Sequence, residues 1–344
     1  MQIHNTTRRT LPSVSVFNRA SSEKPESRTK TSGFGDVVED FTVSARLLSL
    51  GLTYRALANH RATKYKKKPP LADSPPVKID QPFVMIPGWK TTRDAFDPLA
   101  DKLLEGGRNG GTLYFVQDGQ FFHDRDCTSR ADDSQVADTD GKVFEVVFSD
   151  VRLPPDRSAQ ELSRNLKAVK SITGADKLDV SAYSMGGLAT REYLDNGGKD
   201  IDQLLILGTP NRGSEFAKWS LHVLDRDIKW AISLAGLLPG DVKALEWLRP
   251  ERENPLLQDL NSRWDEQKAN VTEVRLVAGL GTPSAKAGWN PVTDGDGLVA
   301  ADSVGLPGDE PIKLKGQHHN HLNNNAKVYD QMRDFFGWPE DNAN

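Results

Sequence analysis

Apolar positions along this chain fall into two alternating patterns. Short, continuous apolar runs occur at 83–86, 111–117, 142–148, 177–180, 201–207, 274–280 and 312–314. Runs of this length, apolar at successive positions, predict strands covered on both faces. Segments of helical period separate most of them. In 158–173, Leu162, Leu166, Val169 and Ile172 share one face, and Gly174 can end the helix. A helix is predicted from 188 until Asn196-Gly197-Gly198 stops it, and the last helix turns Val328, Met332 and Phe335 inward. Asp97 is expected as an N-cap ahead of Pro98, and Ser158 with Glu161 as a capping box. Strands alternating with helices predict an α/β chain built on a mostly parallel sheet.

Three stretches depart from that rhythm. Residues 37–58 are periodic, with Phe41, Ala45, Leu48, Leu52 and Ala56 on one line and Leu47, Leu50, Tyr54 and Leu57 widening it. The basic residues Arg61, Lys64, Lys66, Lys67 and Lys68 follow, then the proline pairs 69–70 and 75–76, which mark a linker. An amphipathic helix with a basic end can pack on the main domain or lie on a membrane surface. Residues 118–141 are polar and read as a solvated loop; His123, Asp124, Asp126 and Cys127 within it lack recurring metal-ligand spacing. Residues 214–266 are helical and apolar and hold four of the seven tryptophans, as a cap over an apolar site or as extra packed helices would.

Composition narrows the class. With 27% charged and 37% hydrophobic residues, this is the make-up of a globular protein. No run approaches the roughly 18 apolar residues a membrane span needs. A single cysteine excludes an internal disulfide. The net charge of −4 is unevenly spread: residues 1–78 hold 14 Lys and Arg against 6 Asp and Glu, the remainder 30 against 42. An acidic body argues against nucleic-acid binding. Residues 1–35 are basic and rich in Ser and Thr but lack the apolar core of a Sec signal peptide. They read as a disordered tail, or as a non-Sec export signal or organelle transit peptide, which leaves a cytoplasmic or an exported location open. The expected layout is a leader over 1–35, a helix and linker over 36–78, and a catalytic domain over 79–344 with a cap near 214–266.

The chemistry gathers at strand ends. Ala182-Tyr183-Ser184-Met185-Gly186 sits between a predicted strand and a predicted helix, with small residues two before and two after the serine. That is the pattern of a nucleophile elbow, whose sharp turn exposes the hydroxyl and aims the N–H of Met185 at a developing oxyanion. Pro87-Gly88-Trp89 follows an early strand, and the Trp89 N–H is the candidate second donor; a plain βα turn is the other reading. Asp296, with Asp294 second, lies in a turn-forming segment after a late strand, where a triad acid belongs. His318, His319 and His321 follow the last strand, and spacing alone does not choose among them. The chain order of serine, acid and histidine is that of α/β-hydrolases.

Three motifs together, Ala-Tyr-Ser-Met-Gly-Gly at 182–187, Gly-Thr-Pro-Asn-Arg-Gly-Ser at 208–214 and Asp-Gly-Leu-Val at 296–299, resemble the lipase and esterase branch of the α/β-hydrolase superfamily. Asn254-Pro255-Leu256-Leu257-Gln258-Asp259-Leu260-Asn261 resembles a segment of the cap in these enzymes. The likeness covers about 80–338. It implies an α/β-hydrolase fold with helices on both faces of the sheet and a helical cap insertion; the periodic segment over 37–58 adds an expected N-terminal helical extension outside the likeness. It implies a serine carboxylic-ester hydrolase, a lipase or phospholipase working through an acyl-enzyme on Ser184, with acyltransferase, thioesterase or a catalytically weak binding or effector protein as alternatives. By motif, Ser184 is the nucleophile, Asp296 the acid and His319, in a His-x-x-Leu pattern, the base, with His321 the alternative. Tyr183 and Pro87 stand where the family often has histidine. No cofactor or metal is expected, and the expected partner is a lipid or acyl-ester substrate, with membrane contact through 37–68 an option.

Overall fold

The computed structural model describes residues 34–67, 70–138, 140–229, 231–232, 236–289 and 291–341. Most of the predicted leader lies outside the described residues, as do Lys68 and Trp230. Eight strands form one sheet: β1 (Phe83–Ile86), β2 (Leu113–Gln117), β3 (Gln120–Phe122), β4 (Val143–Val146), β5 (Leu178–Tyr183), β6 (Ile201–Leu207), β7 (Glu273–Leu280) and β10 (Ile312–Lys315). Their order is β10-β7-β6-β5-β1-β4-β2-β3. All neighbours pair in parallel except β3, which runs antiparallel to β2 at the edge. Strands β8 (Thr282–Ala285) and β9 (Val292–Gly295) form a separate antiparallel hairpin.

Strand alternation sorts the core into two layers. Val84, Ile86, Val180, Ala182, Leu204 and Ile206 face α4 (Pro155–Thr173) and the far half of α5 (Met185–Asp195). Phe83, Met85, Leu205 and Leu207 face α2 (Asp97–Leu104) and the C-terminal helix Ala326–Phe336. Because both faces are covered, most strands are apolar on both sides and read as nearly continuous apolar runs; the buried Asp179 and Ser181 of β5 and Glu145 of β4 are exceptions. A mostly parallel, helix-sandwiched sheet with this strand order is the α/β-hydrolase architecture.

Local expectations shift in three places. α4 starts three residues before Ser158, with Pro154 as its N-cap and Pro155 inside the first turn. Fixed proline φ starts the helix there, so Ser158 is buried in its body, and Glu161 instead accepts from the Ser149 N–H at 2.9 Å. Asp97 is the first residue of α2 rather than its cap, which is Phe96, and its carboxylate takes Arg125 Nη2 at 2.7 Å. The polar stretch 118–141 is not all solvated: Phe121 and Phe122 are buried in β3, and Asp133–Asp138 is a helix. Two aromatics among many polar residues gave no period long enough to betray the edge strand.

Two further layers sit over the carboxyl ends of the strands. Within 214–266, helices α6 (Glu215–Asp225), Val242–Trp247 and Pro255–Ser262 bury Ala217, Leu245, Trp247, Leu257 and Leu260 against Met185 and Leu188 of α5. Helix α1 (Phe34–Lys67) lies across α6 and the β8 hairpin through Val43, Leu47 and Leu50.

Candidate active site

Ser184 stands at the carboxyl end of β5, at φ 55° and ψ −129°. A non-glycine residue persists in this sparsely populated region only where its surroundings hold it. Three bonds do so here: the Ser184 N–H donates to Leu207 O at 2.8 Å, and Ser184 O accepts from Thr209 Oγ1 at 2.7 Å and from the Gly187 N–H at 3.0 Å. The turn also packs tightly on the end of β1. A Cβ on Gly186 would lie 2.5 Å from Pro87 O, and one on Gly88 2.6 Å from Ser184 Cβ. The small residue after the serine and the glycine of Pro87-Gly88-Trp89 are two sides of one contact.

His319 lies on the loop after β10, its Nε2 2.9 Å from Ser184 Oγ and its Nδ1 2.7 Å from Asp296 Oδ2. An ionised carboxylate only accepts, so Nδ1 carries the hydrogen and Nε2 is left to accept from the serine hydroxyl. Asp296 is itself held. Its Oδ1 accepts the N–H groups of Leu298 at 3.1 Å and Val299 at 2.8 Å, and its carbonyl accepts the His319 N–H at 2.9 Å. Both side chains are buried. Gly208 explains the first letter of its motif: it has φ +57°, and a Cβ there would lie 2.6 Å from Leu322 Cδ1, 3.2 Å from Asp296 Oδ2 and 3.4 Å from His319 Nδ1.

The other candidates sit elsewhere. Asp294 takes the N–H groups of Gly281 and Gly295 at 2.9 and 3.0 Å and closes the β8–β9 hairpin. His321 Nδ1 is 3.4 Å from Asn324 Oδ1, and the buried His318 ring lies 5.9 Å from that of His321. Met185 is the first residue of α5, and Trp89 follows the Gly88 contact; among the described residues no acceptor takes either N–H. Neither N–H is therefore spent on a bond within the fold, and the positive end of α5 lies at Met185. Among the described residues, no group of three or more His, Cys, Asp and Glu side chains is placed to hold a metal ion. Burial, with Asp124 and Asp126 nearby, pushes the Cys127 thiol up to about 11.

Several contributors left no trace in spacing. Tyr183 Oη donates to His319 O at 3.0 Å, and its ring lies 5.1 Å from the imidazole, so Tyr183 steadies the His319 loop. Lys90 Nζ bridges Gly236 O and the buried Asp241 carboxylate, both at 2.9 Å, tying the Trp89 loop to the helical layer above. The 208–214 and 254–261 motifs prove to be one scaffold. Asn211 accepts from the buried Arg191 Nη1 at 3.1 Å, donates to Val304 O at 2.7 Å and takes Asn261 Nδ2 on its carbonyl at 2.9 Å. Burial pulls the Arg191 guanidinium down to about 9; its bonds go to Gln267, Asn211 and Leu260 O, and it lies over the Trp264 ring.

A cavity of about 390 Å³ opens directly over Ser184 and His319, lined by Trp89, Tyr183, Phe216, Leu237 and Leu298 and by one side of α1. The space is that of a small-ligand pocket, lined mostly by apolar surface with a minority of polar groups.

No protein-family model matches the chain. Two triacylglycerol lipases, from Pseudarthrobacter phenanthrenivorans and Burkholderia plantarii, are each 34% identical over 73 residues, which is 21% of this chain and 23% and 20% of theirs. The matched stretch spans about a fifth of these curated relatives. Among solved structures, the lin2722 gene product of Listeria innocua is 19% identical with a TM-score of 0.47, covering 74% of this chain and 94% of that one. The mature BlEst2 lipase of Bacillus licheniformis is 13% identical with a TM-score of 0.49, covering 76% and 94%. Likeness this distant carries nothing about chemistry.

Proposed function

We propose that this chain of α/β-hydrolase fold is a serine carboxylic-ester hydrolase acting on lipid or other long acyl esters. The observation that carries the reading is the hydrogen-bonded line from Asp296 through His319 to Ser184 Oγ, at 2.7 and 2.9 Å, at the floor of an apolar cavity. A serine hydroxyl alone is a poor nucleophile. In this mechanism Ser184 Oγ attacks the ester carbonyl while His319 Nε2 takes its proton. Asp296 holds the ring tautomer and stabilises the imidazolium. The N–H groups of Met185 and Trp89 hold the oxyanion, at roughly 3–4 kcal/mol per donor in comparable sites. Collapse of the tetrahedral species breaks the ester bond, and the leaving alcohol takes the proton from His319. Water, deprotonated by His319, then attacks the acyl-enzyme and releases the acid and Ser184.

The substrate class follows from the lining of the cavity and agrees with the names of the two sequence relatives. The exposed side chains Val37, Val38 and Phe41 of α1 support a peripheral contact with a lipid surface. No helix of the described residues is long and apolar enough to cross a membrane. A fluorophosphonate probe tests the reading: it should label wild type and not Ser184→Ala, and equal labelling of the two would reject Ser184 as nucleophile. p-Nitrophenyl esters of rising chain length, with phospholipid liposomes alongside, test the substrate class.

A further inference from the structure

The cavity over Ser184 has a wall that comes from outside the strand–helix alternation. Ser44, Leu47, Leu48 and Gly51 of α1 line it together with Ser184 and His319. They stand close to 3.6-residue spacing, and Leu50 and Leu52 line the cavity from either side of them, so a broad band of the helix faces it. The neighbouring stripe, Val43, Leu47 and Leu50, is buried against Trp219, Val223 and Ala231. Polar contacts then set the register of α1 along α6. His222 Nε2 lies 2.8 Å from Asp40 Oδ1, Arg226 reaches Asp36 and Asp40 at 3.8 Å each, and Arg46 lies 5.6 Å from the centre of the Trp219 ring. These contacts fix which residues of α1 face the nucleophile.

Gly51 is the informative position. It lines the cavity, and a Cβ built on it meets nothing within 4 Å. A helix-interior glycine costs roughly 1 kcal/mol relative to alanine, and here no close contact demands the absence of a side chain. Its effect is to leave open space along this wall of the cavity.

We propose that α1 is a specificity-determining element: Leu47, Leu48 and Gly51 form the wall against which the acyl chain lies, and the bare Gly51 position admits medium and long unbranched chains. This rests on the ester-hydrolase reading above for the identity of the acyl group, but the wall can be tested without turnover.

The test uses the full chain. Gly51→Trp should lower kcat/KM for the p-nitrophenyl ester of a twelve-carbon acid by at least tenfold while that of the acetate ester stays within twofold. Leu48→Trp, from the same wall, should shift preference in the same direction, so a failure of one tryptophan variant to fold does not remove the test. In a Ser184→Ala background, displacement of a fluorescent fatty acid by dodecanoate should weaken at least tenfold with Gly51→Trp. Equal loss on short and long esters, or an unchanged profile in a folded variant that still labels with fluorophosphonate, overturns the wall. Absence of labelling in wild type overturns the hydrolase reading instead, and the dodecanoate measurement then still supports or rejects the wall as an alkyl-chain site.

Discussion

The floor and the wall of the cavity are held by different physics. At the floor, Ser184, His319 and Asp296 are fixed by short directional bonds to strand ends and to each other. On the wall, α1 is held by apolar packing on α6 and by partly exposed ion pairs. Directional bonds define atom positions to fractions of an ångström, which proton transfer needs. Packing defines a shape, which is what an acyl chain needs, and it tolerates volume-conserving change. The contrast implies that substitutions at the floor act on turnover whatever the substrate, whereas those on the wall act on the choice of substrate.

The largest effect is expected from Ser184→Ala, with kcat falling by about 10⁴ to 10⁶ and ester binding retained; a uniform loss across chain lengths is what the comparison requires. Asp296→Asn should cost about 10⁴ in kcat, because the wrong tautomer then faces Ser184; a loss that varied with chain length would merge floor and wall. Gly208→Ala should lower kcat on every ester by ~10² and destabilise the fold by about 1–2 kcal/mol, since it adds left-handed strain and crowds the Asp296–His319 bond. Steady-state kinetics with thermal unfolding checks both. Lys90→Met removes the tie between the Trp89 loop and Asp241 and should reduce kcat about tenfold with little change in KM, by misplacing one oxyanion donor.

The effect smallest on turnover separates stability from both. Burial, reinforced by the Asp202 carboxylate and opposed by the Gln203 N–H, pushes Asp179 up to about 7 at the opposite end of β5. Its Oδ1 has no hydrogen-bond partner among the described residues. A carboxyl raised in the folded state binds protons better there than in the unfolded chain. Its contribution is therefore present below about pH 4 and is lost as pH rises through about 7, by up to ~4 kcal/mol. Asp179→Asn should flatten that fall and raise Tm at pH 8, with kcat unchanged, as pH-dependent calorimetry would read.

Much of this was legible in the chain. Strands buried on both faces leave largely apolar runs, a tight turn demands small neighbours around its serine, and the residues proposed as acid and base follow later strands in chain order. Each of these is a local constraint written in adjacent residues. Spacing did not choose among His318, His319 and His321, and only the His-x-x-Leu resemblance favoured His319; which ring reaches Ser184 depends on where the loop after β10 points each one. The edge strand β3 and the β8–β9 hairpin were too short to show a period. Tyr183, Thr209 and Lys90 act through partners dozens of residues away, at 319, 184 and 241. The seating of α1 over the nucleophile is the extreme case. Its apolar face announced that something would be covered, but what it covers depends on surfaces that exist only once α6 and the sheet have come together in space.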